Sequence, residues 1–71
     1  MTLGEKLREA RERAEMTQQE LAKKTGFHIR SIQIWESDKA DPSFFNLCCI
    51  ASVLHLSLDY LAGFSKDKYL K

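Results

Sequence analysis

Glycine, proline and cysteine are scarce in this 71-residue chain, which holds three, one and two of them. So few turn-formers argue against a β-rich fold, whose tight turns need Gly and Pro, and favour helices. The two cysteines are neighbours, Cys48 and Cys49. Adjacent residues of a regular element point in different directions, so they cannot staple the fold. There is no CxxC and no Cys/His cluster at zinc spacing, and His28 and His55 are far apart with no acidic partner at ligand spacing. Neither a metal nor a cofactor is expected. No apolar run approaches the roughly 18 residues of a membrane span. The first residues, Met1-Thr2-Leu3-Gly4-Glu5-Lys6, lack the apolar stretch of a signal peptide. With unpaired thiols, this gives the expectation of a cytoplasmic protein. Charge of one sign is also missing: 11 Lys and Arg meet 10 Asp and Glu, for a formal net charge of +1. The sequence pI of 7.8 does not advertise nucleic acid as a pI above about 9 would. No Ser-His-Asp arrangement, P-loop or pair of carboxylates suggests catalysis. A domain of this size buries only about 60% of its unfolded surface and has little room for a deep cleft. Neither an enzyme nor a small-molecule substrate is expected.

What is present is a globular composition, 44% hydrophobic and 30% charged, of a length that suits one domain. Thr2 and Glu5 form a possible capping box. Leu3, Leu7, Ala10 and Ala14 then recur at spacings of three and four, predicting a helix from about Leu3 to Ala14. Thr17-Gln18-Gln19-Glu20 is a cleaner capping box, and Gly26 is placed as a left-handed stop. His28 would cap a third helix running to about Ser37. Ile32 and Trp35 share its inner side, while Arg30, Gln33, Ile34 and Ser37 share the opposite one. Asp38 to Pro42 reads as a loop. Ser43 caps a fourth helix with Phe44, Leu47, Ala51 and Leu54 as its buried stripe and Ile50 beside it. Phe45, Cys49 and Ser52 form its outer face. Ser57 caps a short fifth helix, Leu58 to Ala62, which Gly63 ends. Residues 1–63 thus form the domain, and 64–71 are a tail without period.

Two short helices joined through a turn with a glycine make a helix-turn-helix pattern. Here the pair is Gln18 to Thr25 and Ile29 to Ser37, about residues 18–37, with Gly26-Phe27-His28 as the turn. Many helical bundles contain such a pair, so the flanking residues matter more. Thr17-Gln18-Gln19-Glu20-Leu21-Ala22, Gly26, Ile32, Trp35-Glu36, Pro42-Ser43, Ala51-Ser52-Val53-Leu54 and Leu58-Asp59-Tyr60-Leu61 follow in order. This series closely resembles the Cro/cI-type (Xre) helix-turn-helix family, over roughly Leu3 to Gly63. The resemblance implies an all-α, five-helix DNA-binding domain of the lambda-repressor-like type. It implies a transcriptional regulator of the repressor kind, whose third helix lies in the major groove of double-stranded DNA. Two alternatives remain open on the sequence: a DNA-binding antitoxin that also holds a toxin, and a protein-interaction module that kept the fold.

The resemblance carries roles to particular residues. Gln18 would bond a phosphate and brace the reading side chains; otherwise it is an ordinary exposed first-turn residue. The base-reading positions fall on His28, Ile29, Arg30, Gln33 and Ile34. Arg30 suits guanine and Gln33 adenine, each as a bidentate pair. Ile29 and Ile34 depart from the usual polar residues and offer only apolar contact to thymine methyls. Ile29 sits about 60° from Ile32 on the helical wheel and could equally belong to the core rim, while Ile34 lies about 160° away. Lys39 is the one cation of the following loop, where Asp38 and Asp41 oppose it. From Thr17 to Asp41 four positive and four negative side chains cancel. Arg11 and Glu36 hold positions of a partly buried ion pair between the first and third helices; Glu36 falls about 40° from Ile32 and needs a partner. A homodimer is expected around Leu58, Tyr60 and Phe64, unless Leu58 and Phe64 merely close the bottom of the core.

Overall fold

The computed structural model describes residues 1–70 and measures 29 × 23 × 20 Å. It contains five helices: α1 Leu3–Arg13, α2 Gln18–Thr25, α3 Ile29–Glu36, α4 Phe44–Leu54 and α5 Leu58–Ala62. Each begins at a side chain that accepts from a first-turn amide. Thr2 and Thr17 accept from Glu5 and Glu20 in two complete capping boxes. Ser43 and Ser57 accept from Asn46 and Tyr60. His28 does the same for α3 with its imidazole. Short helices are marginal alone, so these caps fix where each one starts while packing supplies the stability. Gly26 ends α2 at φ 81°, a left-handed conformation that glycine adopts without a Cβ penalty.

The core is made by Leu7, Ala10, Leu21, Ala22, Ile32, Ile50, Ala51, Leu54, Leu56 and Tyr60. It draws on all five helices, and α2 packs against both α3 and α4 while α1 packs on α3. The α1–α3 approach is close. A Cβ on Gly4 would stand 2.5 Å from the Glu36 carbonyl oxygen and 2.7 Å from that of Trp35. Only a glycine lets the first turn of α1 sit on the last turn of α3.

Three of the readings from spacing need correction. Ala14 is the exposed C-cap of α1 rather than part of its apolar face. Trp35 is not among them: it packs half-buried against the core on the inner side and meets Phe27 edge to face, with centroids 5.3 Å apart. Phe44 is 74% exposed, because the first turn of α4 projects past the core; Ile50, Ala51 and Leu54 carry the burial. Tyr60 is only 9% exposed and belongs to the core. Its ring sits beneath the Lys6 ammonium, 4.7 Å from the centroid.

The described part of the tail, residues 64–70, is also tied to the domain. Tyr69 pairs with Leu56 in an antiparallel bridge, with the Ser57 amide donating to the Lys68 carbonyl and the Leu70 amide to the His55 carbonyl, both at 2.8 Å. Lys68 forms an ion pair with Glu9 at 2.8 Å, and the Arg13 guanidinium lies 4.0 Å from the Tyr69 ring centroid. These contacts clasp residues 68–70 across α1 and the α4–α5 corner.

Candidate nucleic-acid interface

Helix α3 has two unlike faces. Ile32 and Glu36 are buried, at 1% and 7% exposure. Arg30 and Gln33 are exposed, and Ile34 is half-buried beside them. These three line a shallow concavity of about 370 Å³ with Ser37 and Lys39. Ile29 packs against the core from a half-buried position and also lines the groove in front of His28. His28 is exposed at the leading end of the helix and lines a second groove with Gln19 and Lys23 of α2. Gln19 and Lys23 stand four apart on α2, which puts both on the side of the helix that faces His28.

The angle of α3 is held from behind by one carboxylate. Arg11 Nε donates to Glu36 Oε2 at 2.7 Å and Arg11 Nη2 to Glu36 Oε1 at 2.9 Å. Arg11 Nη1 donates to the Met16 carbonyl at 2.8 Å, so the guanidinium is satisfied on three sides. Hydrogen bonding to Glu36 raises the Arg11 pKa further above its ordinary value, against the opposing effect of burial. Gln18 Nε2 completes the cluster by donating to Glu36 Oε1 at 3.1 Å. One side chain of α3 is thereby tied to α1 and to the first residue of α2. Gln18 is half-buried and braced, not a freely rotating surface residue.

In the sequence Asp38 stands out only as a charge opposing Lys39. In the structure it adopts a left-handed conformation, φ 61°, and turns back on α1. Its Oδ2 accepts from the Thr2 hydroxyl at 2.5 Å and its Oδ1 from the Gly4 amide at 2.9 Å. These bonds, the hydroxyl first and the amide second, hold its carboxyl below the ordinary Asp pKa. An isolated sequence gives no local signal for a contact across 36 positions. The result is that Asp38 serves the positive end of α1, and Lys39 follows with its amide bonded to the Ile34 carbonyl at 3.2 Å.

At the proposed dimer surface, Leu58 is 37% and Phe64 86% exposed, while Tyr60 faces inward. Leu58 and Leu70 line an open groove of about 520 Å³ together with Cys48 and His55. Both cysteines are unpaired and half-buried. Among the described residues, no three His, Cys, Asp or Glu side chains are grouped to hold a metal ion.

A helix pair with a glycine turn, a capped second helix and an outward polar face on that helix define a helix-turn-helix protein. Residues 7–61 match the family described as Helix-turn-helix, and the chain belongs to that family, as a member of its Cro/cI-type (Xre) branch. Over all 71 residues it is 37% identical to the HTH-type transcriptional regulator ImmR of Bacillus subtilis (strain 168). It spans 54% of that relative, about half its length. Among solved structures it is similar to the P22 c2 repressor protein in complex with synthetic operator 9T in the presence of Tl+. That match has a TM-score of 0.83 and 29% identity, and covers 92% of this chain and 98% of the other. The fold is the five-helix, repressor-like arrangement.

Proposed function

We propose that this chain is a sequence-specific DNA-binding transcriptional regulator of the repressor kind, and not an enzyme. The observation that carries the proposal is the two-faced α3: Arg30 and Gln33 project outward while Glu36 of the same helix is locked to Arg11 and Gln18. A rigidly held helix with exposed bidentate side chains suits base-edge reading in the major groove. Arg30 reads guanine, Gln33 reads adenine, and Ile34 packs on a thymine methyl. Gln18 and Lys39 contact the flanking phosphates. The neutral charge count is less of an obstacle than it looks. Glu36 is neutralised by Arg11, which lies outside that count, whereas Lys23, Lys24, Arg30 and Lys39 remain exposed. The related P22 c2 repressor, solved on an operator, supports the same partner.

The regulator works as a two-fold homodimer, since one reading helix makes few phosphate contacts and readers of this type use two half-sites about one helical turn apart. Leu58, Leu70 and Phe64 supply its apolar contact, and Tyr60, being in the core, leaves that set. Among the described residues no helix is long and apolar enough to cross a membrane; the regulator acts in the cytoplasm. The test is selection of bound sites from a random duplex pool. A defined motif with two half-sites is the expected result, and Arg30→Ala or Gln33→Ala each removes preference at one position per half-site, at about 1–3 kcal/mol. Recovery of random sequence by the parent protein would overturn the proposal.

One observation favours a second reading, a DNA-binding antitoxin. Phe44 and Phe45 are adjacent and both 74% exposed, an unusual aromatic surface for a protein that meets only DNA. Purification of the protein from its native host separates the readings, because an antitoxin brings a second protein with it.

A further inference from the structure

The N-cap of α3 is a histidine, and this has a chemical consequence that Ser, Thr, Asn or Asp would not have. A neutral imidazole carries one donor nitrogen and one acceptor nitrogen. In the structure His28 Nδ1 lies 3.1 Å from the Arg30 amide nitrogen, which donates to it. An amide N–H only donates, so Nδ1 must hold the lone pair and the ring proton must sit on Nε2. The His28 carbonyl accepts from the Ser31 amide at 2.9 Å, so the backbone and side chain of one residue together start the helix. The ring is exposed, and it stands at the end of α3 beside Arg30.

The geometry points to His28 as a specificity-determining residue that presents a single, fixed N–H donor to DNA, through the same hydrogen bond that starts the reading helix. This rests on the DNA-binding reading above and deepens it. A ring locked in the Nε2–H form matches an acceptor: purine N7, guanine O6, thymine O4 or a phosphate oxygen. It is mismatched to the amino groups of adenine N6 and cytosine N4, which are donors. Asn or Gln could swap its amide to suit either kind of edge, and a hydroxyl could rotate. His28 cannot do so without giving up the Arg30 amide, which would leave an orphan donor at the start of an eight-residue helix. Helix initiation and readout are therefore coupled in one imidazole.

Two measurements test this. In the free protein, two-bond proton–nitrogen spectra at about pH 8, above the ordinary imidazole range, should show an unprotonated Nδ1 and a protonated Nε2 for His28. A protonated Nδ1, or averaging between tautomers, overturns the lock. Site selection is then run on the parent, His28→Ser and His28→Ala. His28→Ser keeps a capping oxygen, so it should melt close to the parent, while His28→Ala should melt lower. His28→Ser should bind the parent's selected site about 3- to 10-fold more weakly, as expected for one neutral hydrogen bond. Loss of preference at one base pair per half-site is the expected result; equal weakening on every sequence would put the donor on a phosphate, which carries no sequence information, and would overturn the specificity role. If His28→Ser selects the same site with unchanged affinity while Arg30→Ala loses it, the donor role fails and the DNA reading stands. If the parent itself selects no site, the DNA reading fails and the donor role with it, whereas the tautomer result remains.

Discussion

Glu36 receives both prongs of the Arg11 guanidinium, at 2.7 and 2.9 Å, with the two side chains only 4% and 10% exposed. The pair is nearly dry, and its remaining valences go to Gln18 and the Met16 carbonyl. Removing Glu36 strands the Arg11 charge and the Gln18 amide. Glu36→Ala should therefore cost about 3–5 kcal/mol in urea denaturation, a large part of the roughly 5–15 kcal/mol a domain has. A joint apolar replacement, Arg11→Met with Glu36→Leu, should recover much of that loss. An unfolding midpoint for Glu36→Ala equal to the parent's would show that the pair does not hold the fold.

Gly4 reverses a familiar rule. In a helix interior Gly→Ala normally stabilises by roughly 0.8–1 kcal/mol. Here the added methyl meets the carbonyl oxygens of Glu36 and Trp35, at 2.5 and 2.7 Å, and Asp38 Oδ1 at 2.8 Å. Two of these are backbone atoms at the end of α3 and cannot swing away. Gly4→Ala should destabilise by about 1–3 kcal/mol, as overpacking does, and should tilt α3. A thermal melt reads the first effect, and a gain in melting temperature would contradict the packing described.

Acid should loosen the helix starts. Asp38 is held below the ordinary range by the Thr2 hydroxyl and then the Gly4 amide. Glu5 and Glu20 are held below it by the amides of Thr2 and Thr17 and then by their hydroxyls. Each group binds its proton more readily when unfolded, so folding is favoured while the carboxylates are ionised. That stabilisation is fully present above the ordinary carboxylate range of about 4 and fades as pH falls through the lower folded values. All three are exposed, so each share is small. The melting temperature should hold steady from about pH 7 to 5 and decline below about pH 4. Asp38→Asn, whose amide oxygen can still accept from Gly4, should make that decline shallower. An identical acid profile for this variant would remove Asp38 from the account.

The proposed two-fold contact is tested at Leu58, which is 37% exposed beside Leu70. Leu58→Glu should leave the monomer folded by circular dichroism and lower affinity for a two-half-site duplex by about 100-fold, the low end of what linking two half-sites supplies. Binding to a single half-site should not change. Sedimentation that finds the parent monomeric at high concentration and on DNA would refute the contact.

Much of this architecture is local and could be read in order along the chain. Caps such as Thr2, Thr17, Ser43 and Ser57 act within three residues, and Leu3, Leu7 and Ala10 of α1 repeat with the helical period. Arg11 and Glu36 were legible because a carboxylate on the inner side of a helix demands a partner, and the family resemblance supplied which one. Four features were beyond that logic. Asp38 finds its donors 34 and 36 positions away. Tyr69 lies in a single bridge, too short to show any period. Phe44 keeps the spacing of its stripe although its turn has left the core behind, so periodicity named a face that nothing covers. Tyr60 went inward for the opposite reason: a five-residue helix at the end of the chain has too few turns to reveal which side is buried.

The shared carboxylate of Glu36 also bears on the order in which the molecule comes together. Its partners lie 25 and 18 positions away, whereas each capping box closes over three. Short loops close before long ones repay their entropy. The helices and their starts can therefore take shape while Arg11, Gln18 and Glu36 are still apart, and the three-way clasp closes as the last turn of α3 settles on α1. Contacts made after the barrier slow escape from the native state without speeding arrival. The residues that set the angle of the reading helix would then act chiefly as a brake on unfolding, keeping the two-faced α3 in place for the lifetime of the folded chain.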